Sequence, residues 1–133
     1  MSEEKKIKVV LLEPGKLART AEIGTSLEDL QKIVDGLIEA YYPFEEQVCI
    51  VCNDEGKING MQPNRSVKNE DGVMMDFICG PAFICDCRGE SFDSLSDEQL
   101  ARYTKMFRYP EHLAKLNGQL IGIPFNPQRE HER

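Results

Sequence analysis

Side chains suited to recognising another molecule concentrate between Asn53 and Arg65, where Asn59, Gln62 and Asn64 add further amides and Arg65 a guanidinium. Each amide offers a donor and an acceptor together, and a guanidinium fork matches carboxylate and phosphate oxygens. Such a set suits a partner's backbone, a nucleobase edge or a phosphate. The competing reading is local, because Asn59-Gly60 and Pro63-Asn64 are turn dipeptides whose side chains commonly bond their own backbone. On the first reading Asn53, Asn59, Gln62, Asn64 and Arg65 form a binding site; on the second the segment is a structural turn. The residues alone leave both open.

A second chemistry is electrostatic. Between Glu39 and Asp76 the chain carries eight acidic residues against three basic ones, most of a net charge of -7. The pairs Glu45-Glu46, Asp54-Glu55 and Glu70-Asp71 all fall in or beside turns. Solvated loops explain such pairs, and so does an acidic face that meets a basic groove on another protein, where complementary potential speeds association and selects the target. The same balance argues against a direct nucleic-acid or anionic-membrane surface, which needs clustered Lys and Arg.

Catalytic patterns are weak. Cys49-Ile50-Val51-Cys52 has the spacing of a zinc knuckle or redox motif, and Cys85 and Cys87 could add thiolates. A strand points residues three apart to opposite faces, and the β-branched pair between the cysteines favours a strand, so buried free thiols are the expected state. The odd count of five cysteines also fits reduced thiols better than a disulfide scaffold. Of the two histidines, His112 and His131, neither neighbours a nucleophile in sequence, and no Gly-rich phosphate loop of the Walker or dinucleotide type is present. The expectation is a protein without catalytic function, metal or cofactor.

These residues sit on the elements of one α+β domain. With 133 residues, 41% hydrophobic and 29% charged, the chain can bury a core as a single unit spanning residues 7–125, with flexible ends at 1–6 and 126–133. The β-branched run at 7–12, the Glu13-Pro14-Gly15 turn and the alternation over 17–23 predict a hairpin. A capping box at Thr25 to Glu28 opens a helix over about 25–36, and a second at Ser96 to Gln99, with Leu95 and Leu100 as a staple, opens one over 96–108. Residues 38–44 read as an edge strand or a strand end, 48–53 as a buried strand, and 73–87 as a long apolar run in which Gly80-Pro81 makes a bulge or divides two strands. Pro110 and Asn117-Gly118 predict a short helix between them, followed by a strand over 119–125. The whole reads as a largely antiparallel sheet with two main helices.

No run approaches the ~20 apolar residues that span a bilayer, and the start MSEEKKIKVV has no signal-peptide core, so a cytoplasmic protein is expected. The apolar edge at Tyr41-Tyr42 could template pairing with a second copy.

The order LEPG, YYPF, CNDEGKINGMQPNR, NEDG, SLSDEQL and LNGQLIGIP, spread from Ile7 to Pro124, resembles a family of short uncharacterised proteins. That family is encoded by phages, plasmids and integrative elements of Firmicutes and related bacteria, sometimes beside anti-restriction genes. The resemblance implies a mobile-element setting rather than a reaction; together with the acidic central half and the missing catalytic constellation it gives the expectation of a non-enzymatic accessory protein, of the anti-CRISPR or anti-restriction type, that binds a host defence protein such as a nuclease. A small-ligand or nucleotide sequestering module is the alternative.

Overall fold

The computed structural model describes residues 5–128. β1 (Lys6–Leu12) turns at Glu13-Pro14-Gly15 into β2 (Arg19–Gly24), the expected hairpin, in a register that pairs Ile7 with Ile23 and Val9 with Ala21. Lys6, expected in a flexible end over residues 1–6, pairs with Gly24, and residues 1–4 lie outside the described residues. α1 (Leu27–Val34) is shorter than the 25–36 expected, and its cap falls one residue later than Thr25. Ser26 is its cap and accepts from the Asp29 amide at 3.1 Å, while the Thr25 hydroxyl donates to the Lys5 carbonyl at 2.9 Å. Asp35 ends the helix with a left-handed φ of 60°.

β3 (Ile38–Tyr41) and β4 (Val48–Asn53) follow, then β5 (Pro63–Lys68), β6 (Met74–Cys79) and β7 (Ala82–Asp86). Five of these strands form one antiparallel sheet in the order β2-β1-β7-β4-β3, with β2 and β3 as its edges. β4 is buried along its whole length because both sheet faces are covered. On one face α1 lies over Val9, Cys49, Val51, Phe83 and Cys85. On the other, Val10, Val48, Ile50 and Ile84 pack with Val67 and Ile78 of the separate β5-β6 hairpin and with Leu100, Tyr103 and Phe107. The last three belong to α2 (Asp97–Met106) and its C-cap. Its N-terminus is the expected capping box, with Ser96 and Gln99 bonded reciprocally at 3.1 and 2.9 Å.

The segment after Pro110 differs from expectation. In place of a short helix it forms β8 (Glu111–Leu116), joined to β9 (Gln119–Pro124) by a two-residue turn. Asn117 and Gly118 both have positive φ, 51° and 80°, as a type I′ turn requires. Asn-Gly serves equally as a helix end and as this turn, and the alternating residues on either side decide for the hairpin. β8-β9 packs on β5 through a bond from the Ser66 hydroxyl to Glu111 Oε1 at 2.6 Å. Among the expected C-terminal tail, Asn126 Oδ1 accepts from the Gln128 amide at 3.0 Å, and His131 lies outside the described residues.

Candidate functional site

The five residues singled out between Asn53 and Arg65 do not converge on one pocket. Asn59 and Gln62 are exposed on the loop between β4 and β5, whereas Asn53, Asn64 and Arg65 are interior groups. Asn53 is a clasp at the end of β4. Its amide donates to the Val34 and Asp35 carbonyls at 3.1 and 3.0 Å, closing the C-terminus of α1, and its Oδ1 accepts from the Glu55 amide at 2.7 Å. A side chain on Gly36 would strike that amide at 2.7 Å.

Asn64 and Arg65 form a larger clasp. Asn64 Nδ2 bridges the carbonyls of Leu12 and Gly80, both at 2.9 Å. The Arg65 guanidinium is 1% exposed and donates to the carbonyls of Phe107, Glu13, Lys16 and Arg108 and to Asn64 Oδ1, at 2.6 to 3.3 Å. Two of those carbonyls lie at the C-terminal end of α2, where the helix dipole favours a cation. Burial draws the Arg65 pKa down to about 10, countered by the nearby Glu111 and Glu13, so the group is charged at neutral pH. With its donors spent on the chain's own carbonyls, Arg65 ties the β1-β2 loop to α2 and has none to offer a partner.

The acidic turns behave otherwise. A groove of about 970 Å³ runs between the segment from Pro43 to Glu46, the tip of the β5-β6 hairpin, the C-terminal half of α2 and the start of β8. Glu45, Glu46, Glu70, Asp71 and Glu111 line it, with Lys68 and Arg102 as its cations and Phe44, Met106 and Phe107 as apolar surface. Thus Glu45-Glu46 and Glu70-Asp71 share one concavity although they are far apart in the chain. Asp54 and Glu55 belong to a different, smaller cavity near β6.

Within the groove Glu46 is fixed. It accepts from Arg102 Nη1 at 2.8 Å, from Gln99 Nε2 at 3.2 Å and from the Tyr103 hydroxyl. Those bonds, Arg102's first, hold its carboxyl down at about 2, and burial with the bond to Glu46 pushes the Tyr103 phenol up. Arg102 is engaged as well, since its Nε and Nη2 donate to Glu98 at 2.7 and 3.0 Å. Glu45, Glu70 and Asp71 have exposed side chains. Arg102, Tyr103 and Glu111 were not singled out from the sequence. The i,i+4 spacing of Glu98 and Arg102 is the one local signal that points to the pair, and nothing local connects it to Glu46.

The cysteines follow strand geometry. Cys49 and Cys85 sit opposite one another beneath α1 with sulfurs 3.8 Å apart, while Cys52 lies on the other face against the Glu39 carbonyl. Burial pushes Cys52 up to about 11. All five are free, and among the described residues no cluster of His, Cys, Asp or Glu is arranged to hold a metal. His112 stacks on Phe125 with ring centres 4.0 Å apart. Among the described residues no helix is long and apolar enough to cross a membrane.

An antiparallel sheet flanked by two helices, with a buried arginine clasp and an acidic groove, defines a small α+β domain. The chain belongs to the family of the domain of unknown function DUF3846, whose model matches residues 7–108. The match includes the Arg65 clasp and ends before the β8-β9 hairpin that supplies Glu111. No curated protein and no solved structure matches the chain.

Proposed function

We propose that this is a non-catalytic binding protein whose acidic groove engages a basic segment of a partner protein. The observation that supports it is the groove itself. Five carboxylates from three separate segments face a shared concavity with two cations, one of which is already held by Glu46 and Glu98. Unneutralised carboxylates around an apolar floor suit a segment that carries Lys or Arg beside an apolar anchor, the charges giving rate and selectivity and the floor giving residence. The partner is a protein rather than nucleic acid, whose phosphates the groove would repel.

The resemblance to proteins of phages, plasmids and integrative elements gives this reading its setting. There the protein acts in the cytoplasm as a counter-defence factor, and the partner is a host defence protein such as a nuclease with a basic nucleic-acid surface. The alternative, ligand sequestration by Asn59, Gln62, Asn64 and Arg65, has less support because two of the four are buried and committed to the chain's own backbone.

The test is affinity capture from a bacterial lysate with quantitative mass spectrometry, using the native chain and a Glu45→Lys/Glu70→Lys/Asp71→Lys variant. Basic proteins enriched by the native chain and lost with the variant are expected. An identical captured set for both proteins would exclude the groove as the binding surface.

A further inference from the structure

A second cavity, of about 200 Å³, opens between β3, β6 and the turn after β4. Tyr41 lines it from β3, Asp76 and Phe77 from β6, and Lys57 from the turn. The backbone here is held close, since any side chain on Gly56 would strike the Cys79 carbonyl at 2.4 Å. The turn is therefore pinned against β6 and the walls are fixed.

The cavity already displays its preferred chemistry. The Lys57 ammonium sits 4.7 Å from the centre of the Phe77 ring and is bonded to the Asp76 carboxylate. A ring face and a carboxylate converging on one ammonium is the arrangement by which proteins recognise organic cations. One ammonium does not balance the site, because Glu39, Asp54 and Glu55 line the same cavity. Lys57 is also a loosely held occupant. Its side chain is 49% exposed and that of Asp76 38%, so solvent screens the pair, and a flexible four-carbon stem carries it from a turn; its release should cost the fold little. Tyr41 adds a phenol kept protonated by burial and by Asp76, and so able to donate or to present its ring.

We propose that this cavity binds the primary ammonium group of an aliphatic amine, and that Lys57 is a tethered occupant which the incoming amine displaces. The site is separate from the acidic groove and stands or falls independently of it. The ammonium can come from a free amine or from a lysine side chain of another protein, and one experiment distinguishes them.

The ¹H–¹⁵N spectrum of the full chain is titrated with n-butylammonium chloride, with Nα-acetyl-lysine N-methylamide, and with sodium chloride as the ionic control. Saturable shifts are expected at Tyr41, Asp76 and Phe77. The affinity of Lys57→Gln should be about tenfold higher than that of the native chain, the loss of a tethered competitor. Adding Asp76→Asn or Phe77→Leu to Lys57→Gln should remove the gain; two variants guard against one that perturbs β6. Binding of butylammonium alone assigns the site to free amines, whereas binding of the lysine amide as well admits a protein's side chain. The proposal is overturned if neither amine shifts these residues beyond the salt control in Lys57→Gln. Equal affinity of Lys57→Gln and the native chain overturns the displacement, and shifts indifferent to both Asp76→Asn and Phe77→Leu overturn the site.

Discussion

The clasp around Arg65 and the acidic groove lie on the same short strand, β5, and are drawn from equally polar sequence, yet their hydrogen-bond accounts are opposite. Arg65 has every group facing it paired within the chain, and Asn64 beside it is fully buried. At the far end of β5, Glu70 and Asp71 face the groove with their side chains exposed. Polar residues that saturate one another hold a fold; those left with spare capacity meet something else. Polarity alone does not say which is which.

The sharpest way to break this contrast is to remove the clasp. Arg65→Ala strips five hydrogen bonds, four to buried or part-buried carbonyls and one to a buried amide oxygen, and leaves a void, a loss expected to exceed about 3 kcal/mol. Thermal unfolding followed by circular dichroism should show a drop of about 10 °C or more. Arg65→Lys keeps the charge but has three donors in place of five, so it should recover only part of the loss. Full recovery by lysine would mean that charge, not the fork of hydrogen bonds, holds the β1-β2 loop to α2.

Asn53 tests the same logic on a smaller scale. Asn53→Ala frees the Val34 and Asp35 carbonyls at the end of α1, a loss of about 1–2 kcal/mol. Amide exchange should quicken in the last turn of α1 while α2 stays protected. Uniform loss of protection in both helices would show that Asn53 stabilises the whole domain rather than one helix end.

Local signals in the sequence carried well where the cause was local. The capping box at Ser96 and the turn at Glu13-Pro14-Gly15 act through neighbours and were legible as such, while Gly80-Pro81 left a bulge and a strand break both open and the structure has the break. Asn117-Gly118 misled because Pro110 before it and the positive-φ pair itself satisfy the signals of a short helix as well as those of a hairpin. The groove was half legible. Its acids stand out in sequence, but Glu46 meets Arg102, and Glu111 meets Ser66, only through tertiary packing. Which carbonyls Arg65 would clasp was illegible for a related reason. Its acceptors are backbone carbonyls of residues 13, 16, 107 and 108, which no side-chain pattern announces.

Glu46 lies between the two extremes, a groove carboxylate that is itself clasped. Its pKa in the folded chain, about 2, is below the ordinary 4.5, so it contributes stability above about pH 4.5 that fades as pH falls toward 2. Glu46→Gln should flatten that acid limb of the stability curve. At pH 7 it should lower stability by about 1 kcal/mol or less, since the side chain is 35% exposed and solvent screens the pair with Arg102. An unchanged acid limb would assign the loss of stability at low pH to other carboxylates.

The smallest effect on folding is expected where the effect on binding is largest. Glu70 and Asp71 occupy the turn between β5 and β6, where Asn69 makes the local bonds, its Oδ1 accepting from the amides of Asp71 and Val73 at 2.9 and 3.0 Å. Those bonds use the backbone of Asp71 and not its carboxylate. Glu70→Lys/Asp71→Lys should therefore leave unfolding free energy within about 0.5 kcal/mol of the native chain. Reversing two groove charges should nevertheless weaken a basic partner at least tenfold, with a shallower dependence on salt because fewer charges take part in the encounter. Denaturant melts and partner titrations at two ionic strengths measure both quantities on one preparation. A variant that binds as tightly as the native chain would leave the groove without a role, whereas one that melts several degrees lower would place these carboxylates with Arg65 among the groups that hold the fold.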